Sequence, residues 1–159
     1  MNYLDSLYWI HERSKFGIKP GVKRMEWMLE QLNNPQHKIR GIHVGGTNGK
    51  GSTTSIITSL LMEKGFKVGM YTSPFLEEFE ERIQINRNNI PKDTLGRLMD
   101  VLKVSVNQVI LEGYNHPTEF EIITCLMLLY FKEENIDYGV IEVGLGGRLD
   151  STNVITPIL

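Results

Sequence analysis

Residues 39–52 read IRGIHVGGTNGKGS, and this stretch decides the fold class. Ile39–Val44 is a short β-like run that passes directly into Gly45-Gly46-Thr47-Asn48-Gly49-Lys50-Gly51. A helical pattern then extends from about Ser52 to Lys64, with Gly65 as its C-terminal stop. Strand, glycine loop and helix in that order make a phosphate site. Glycines permit a tight turn whose backbone N–H groups converge on an anion, and the helix adds its positive end. Lys50 is placed to meet the β- and γ-phosphates. The stretch departs from G-x-x-x-x-G-K-[ST]: Val44 stands where the first glycine belongs, and Gly51 delays the hydroxyl to Ser52. A plain strand-to-helix turn would not need the lysine. A dinucleotide turn fails on the G-x-G-x-x-G spacing. The residues Gly46, Thr47, Asn48, Gly49, Lys50, Gly51 and Ser52 therefore predict binding of a nucleoside triphosphate.

Outward from this unit the chain alternates helices and strands. Helical spacing covers 3–13, 22–32, 91–111 and 118–134, and strand-like runs cover 68–71, 83–86, 138–143 and 154–159. Phe16–Gly21 and Asn88-Asn89 read as turns, and Asn33-Asn34-Pro35 stops the second helix. The acidic segment Glu77–Glu81 reads as a solvated, mobile loop that could order on substrate binding. Apolar strands alternating with helices predict an α/β fold with a mostly parallel sheet covered on both faces. The expected architecture is a P-loop NTPase-like, three-layer αβα domain.

The 159 residues fit one domain and suffice for a core without staples. Net charge is −2, which gives no basic footprint for nucleic acid or a membrane surface. The single Cys125 cannot form an internal disulfide, and its apolar neighbours make it a packing residue. His11, His37, His43 and His116 share no zinc-ligand spacing. The start of the chain carries Asp5 and no signal-peptide pattern, and the apolar run Ile122–Phe131 is too short to span a bilayer. A cytoplasmic protein is expected.

Nine of the fifteen glycines fall in two stretches, five at 41–51 and four at 139–147, so the second stretch warrants the same reading. There Glu142 ends an apolar strand, at the sheet edge where ligands gather in open parallel sheets. It could hold Mg2+, which takes few carboxylates and adds hydroxyls, waters and phosphate oxygens; it could also cap the strand or pair with Arg148. The phosphate loop on the same edge favours the metal. Tyr71-Thr72-Ser73-Pro74 is a third strand end carrying hydroxyls, but spacing gives Ser73 no ligand role, since Thr/Ser-Pro is usually turn chemistry.

Together FGIKPGVKRM (16–25), HVGGTNGKGS (43–52), YTSPFL (71–76) with ERI (81–83), TEFEIIT (118–124) and IEVGLGGRLDSTNV (141–154) resemble the folylpolyglutamate synthase / dihydrofolate synthase family of the Mur ligase superfamily. The motifs occur in family order and cover nearly the whole chain. The resemblance implies an ATP-dependent ligase that joins L-glutamate to folate or dihydropteroate through an acyl phosphate, with Mg2+ and a monomeric parent. It implies catalytic roles for Lys50 and Glu142, and Ser73 and Glu142 as metal ligands. Pro20, Gly21, Val22, Arg82, Phe120, Leu149, Asp150 and Ser151 would line the substrate side. Phe120 would stack near the pterin and Asp150 would accept from its ring N–H groups, against core packing for Phe120 and a turn or helix cap for Asp150. The resemblance also implies that residues 1–159 are the N-terminal part of a longer ATPase domain. The later histidine ligand, the carbamylated lysine and the C-terminal glutamate-ligase domain would lie outside the chain, leaving little ligase activity in it. A Mur-type cell-wall ligase is disfavoured by Gly51 and by GLGGRLDSTN. A non-catalytic nucleotide- or pterin-binding module is the third reading.

Overall fold

The computed structural model describes residues 1–17, 21–74, 76–144 and 148–159. Five strands form one sheet: β1 (Gly41–Val44), β2 (Val68–Tyr71), β3 (Ile83–Ile85), β4 (Asn88–Asn89) and β5 (Tyr138–Glu142), in the order β1-β5-β2-β3-β4. β5 pairs in parallel with β1 and β2, with Val44 opposite Glu142 and Tyr71 opposite Ile141. β3 and β4 add an antiparallel edge. The mostly parallel α/β sheet is the one expected.

Side-chain alternation along the strands divides the core in two. Ile42, Val44, Val68 and Val140 face helix α3 (Lys50–Glu63), which adds Ile57, Leu61 and Met62. Tyr71, Ile83, Ile85 and Ile141 face the larger core on the other side. There helix α5 (Glu119–Glu133) is buried nearly all round, with α1 (Tyr3–His11), α2 (Lys23–Gln31) and α4 (Lys92–Leu111) packed outside it. A helix apolar on every side must be covered on every side, so this helical layer is two deep. The α3 layer is thin, and Ile56 and Leu60 remain 60% exposed on its outer surface. No helix of the described residues is long and apolar enough to cross a membrane.

Three local expectations are corrected. The hairpin turn lies at Asn86-Arg87, both in the left-handed region, and Asn88-Asn89 forms β4; two left-handed residues give the turn whose twist matches its strands. The strand expected at 154–159 is shorter. Ser151–Val154 is a 3-10 turn, and only residues 157–159 run beside β1, where Gly41 bridges Pro157 and the His43 N–H donates to Leu159 O. The acidic segment is not wholly solvated. Phe79 and Glu80 are buried, Tyr3 OH donates to Glu80 at 2.6 Å, and Glu81 accepts the backbone N–H groups of Leu76, Glu77 and Glu78.

Candidate active site

The ends of three neighbouring parallel strands make the site. After β1 the exposed loop Gly45–Gly49 turns into α3, with Gly46 at φ 150° and Gly49 at φ 76°. Both values lie where a side chain is strained, so glycine is needed at each. The helix begins at Lys50, two residues before the start expected from the sequence, because Thr53 N–H already bonds to Gly49 O at 2.9 Å. Lys50 and Gly51 therefore belong to the first helical turn. The N–H groups of Gly49, Lys50, Gly51 and Ser52 have no intrahelical acceptor, and no side chain caps this end. Four donors and a helix dipole consequently face open space beside the loop. Lys50 Nζ folds back over it and donates to Gly46 O at 3.1 Å. Gly51 has nothing within 4 Å of the position a Cβ would take, so the space above it is open to a ligand.

Glu142 ends β5, beside the strand that carries the loop, and is only 6% exposed. Its Oε2 accepts the backbone N–H of Ser73 at 3.2 Å, which joins the loop after β2 to the same edge. Glu142 makes no ion pair among the described residues, so the alternative pairing with Arg148 is not observed. Among the described residues this is the hydrogen bond that the buried carboxylate makes. One carboxylate beside a serine and an open phosphate site is the sparse oxygen donor set that Mg2+ uses. These residues fit that ion.

The residues expected on the substrate side fall into separate contacts. Gly21 N–H donates to Leu149 O at 3.4 Å, bringing the turn before α2 against the segment after β5. Val22 caps α2. Leu149 is 57% exposed, whereas Asp150 and Ser151 are buried. Asp150 caps the 3-10 turn by accepting from Thr152 N–H at 3.0 Å. Phe120 lies over Gly144, where a Cβ would come within 2.5 Å of its Cζ, and its ring is 6.2 Å from that of Tyr71. Arg82 is half-buried, 5.7 Å from the Phe79 ring, and its carbonyl accepts from Thr72 N–H. Pro20 lies outside the described residues. Cys125 packs against Met25 in the core, and burial pushes its thiol pKa far up.

Several contacts were invisible in the sequence. Arg24 makes a two-pronged ion pair with the buried Glu121, at 3.0 and 2.7 Å, and Glu121 also accepts Thr118 N–H at the start of α5. The pair spans 97 positions, and no local pattern announces it. His43 is the second case. Its alternation with Ile42 and Val44 would have turned it away from α3, but its partner Thr152 is 109 positions away.

No family model matches the chain. It is 47% identical over 158 residues to a dihydrofolate synthase/folylpolyglutamate synthase of Bacillus subtilis, covering 99% of this chain and 37% of that protein. A folylpolyglutamate synthase of Thermotoga maritima superposes with a TM-score of 0.90 at 39% identity, over 98% of this chain and 36% of the other. A folylpolyglutamate synthase solved with AMPPCP and folate gives a TM-score of 0.90 at 40% identity, over 99% of this chain and 39% of that one. The chain spans little more than a third of the length of these relatives. Within that span sequence and backbone both agree, and the chain is homologous to these folylpolyglutamate and dihydrofolate synthases.

Proposed function

We propose that this chain supplies the nucleotide site, two metal ligands and part of the folate side of an ATP-dependent ligase that adds L-glutamate to folate, to dihydropteroate, or to both. One observation carries the reading: the phosphate loop, Glu142 and Ser73 converge on one sheet edge, where Glu142 accepts the Ser73 N–H. In the proposed reaction a folate carboxylate oxygen attacks the γ-phosphorus of ATP. The β–γ bridging bond breaks, ADP departs, and an acyl phosphate forms. The glutamate amine then attacks the acyl carbon, loses a proton and displaces inorganic phosphate. The difficulty is charge, since triphosphate, folate carboxylate and glutamate are all anionic. The N–H groups of Gly49–Ser52 and the Lys50 ammonium offset that charge where it develops. Glu142 and Ser73 would hold Mg2+, which supplies further charge neutralisation at the phosphates.

On the folate side, Phe120 offers a ring face and Asp150 an acceptor for pterin N–H groups. Gly21, Val22, Leu149 and Ser151 shape the approach, and Pro20, next to Gly21 in sequence, is proposed for the same side. Arg82 is the proposed contact for a carboxylate. The proposed compartment is the cytoplasm, and the proposed parent is a monomer whose ATPase domain begins with residues 1–159. The test is a titration of the chain with Mg·ATP, with folate and with a cell-wall precursor. Lys50→Ala should lose nucleotide binding and keep folate, and Asp150→Ala should do the reverse. Binding of the precursor in place of folate would overturn the reading. Glutamate-dependent product formation by the chain alone is expected to be slight.

A further inference from the structure

β1 carries more than the phosphate loop. Ile42 and Val44 face α3, and His43 between them turns to the opposite side, against the 3-10 turn Ser151–Val154. His43 Nε2 lies 2.7 Å from Thr152 Oγ1, and the same hydroxyl bonds Asp150 Oδ1. A threonine hydroxyl has one proton. Asp150 is a carboxylate and can only accept, so that proton points to Asp150 and the hydroxyl must accept from histidine. Nε2 therefore carries the hydrogen, which fixes the imidazole tautomer. Thr152 is fully buried, and its N–H donates to the same Asp150 oxygen at 3.0 Å. Burial also lowers the His43 pKa from 6.5, in keeping with a neutral ring.

We propose that His43 is a positioning residue for the folate side: through Thr152 it sets the orientation of the Asp150 carboxylate and ties the segment 149–151 to the strand that bears the phosphate loop. The inference rests on the reading of Asp150 as a pterin contact. It assigns His43 a task apart from the nucleotide, although only Val44 separates it from the loop. Thr152 thus gives Asp150 Oδ1 two hydrogen bonds, from its N–H and its hydroxyl, and that hydroxyl is itself held by His43.

The experiment measures folate and Mg·ATP affinities of the chain in parallel, with thermal unfolding of each variant. Hydrogen bonds to a charged group are strong enough that His43→Ala and Thr152→Val should weaken folate binding about tenfold or more. Mg·ATP affinity should stay within about twofold, a split that a general loss of structure would not produce. His43→Gln places an amide N–H near the Nε2 position and Thr152→Ser keeps the hydroxyl, so both should restore most of the folate affinity. Nitrogen chemical shifts should show protonated Nε2 in the wild type and lose that preference in Thr152→Val. If Asp150→Ala weakens folate binding while His43→Ala and Thr152→Val leave it unchanged, the positioning role is wrong and the Asp150 contact stands. If Asp150→Ala has no effect on folate, the contact itself is wrong and the positioning role falls with it. Parallel loss of both ligands in the His43 and Thr152 variants, with no rescue by Gln or Ser, would make the network merely structural.

Discussion

The proposed phosphate loop and the proposed folate side are built by opposite means. The loop is consecutive residues, Gly45–Ser52, nearly all exposed, and its shape comes from two left-handed glycines and the start of a helix. The folate side draws Gly21, Phe120 and Leu149–Ser151 from three distant stretches, held by the Gly21–Leu149 hydrogen bond, the Phe120–Gly144 contact and the buried bonds around Asp150. A site made by local backbone geometry depends little on the core, whereas a site made by packing inherits its precision from it. Substitutions in the loop should therefore change binding and spare stability, and those beneath the folate side should change both.

The largest effect is expected at the Arg24–Glu121 pair, which anchors the start of α2 to the start of α5. Arg24→Ala leaves a 1% exposed carboxylate without its cation and should cost about 3–5 kcal/mol in urea unfolding. A loss below about 1 kcal/mol would mean that the folate side is held by something else. Two glycines sharpen the contrast next. Gly144→Ala drives a methyl into the Phe120 ring and should cost about 1–3 kcal/mol along with folate affinity. Gly51→Ala meets nothing and adds helix propensity, so it should stabilise by up to about 1 kcal/mol while impairing nucleotide approach. Similar stability losses for both glycines would erase the distinction between the two regions. Lys50→Ala should weaken Mg·ATP binding about tenfold or more while moving stability by less than about 0.5 kcal/mol.

The smallest effect is in pH. Burial holds the His43 pKa below 6.5, with the nearby Asp150 charge opposing less strongly. Below pH 6.5 the unfolded chain takes up a proton that the folded chain resists. The contribution is thus fully present above 6.5 and is lost as pH falls toward the folded value. Between about pH 7.5 and 5.5 the wild type should lose more stability than His43→Gln, measured by urea midpoints. Equal losses would place His43 in a solvent-like setting.

Much of the architecture was legible because its signals are local. Val68–Tyr71 is continuous and apolar, and Thr118 with Glu121 announces the capped start of α5. The two-residue error at the start of α3 has a local cause as well. Glycine and lysine after Gly49 read as loop, whereas the left-handed turn at Gly49 lets the helix begin at once. The misplaced hairpin turn arose where three of the four residues Asn86–Asn89 are asparagines that favour turns, and only strand pairing selects among them.

By itself the sequence determined the strand–loop–helix unit, the carboxylate at the end of β5 and the family resemblance, because each depends on short-range order and on chemistry carried by adjacent residues. Only the tertiary structure decided that Ser73 meets Glu142, that Phe120 covers Gly144, and that His43 reaches Asp150 through Thr152. Those contacts join residues 2 to 109 positions apart. The longer ones depend on which strands become neighbours and which face each side chain takes. Neither is set until the sheet and its helices pack.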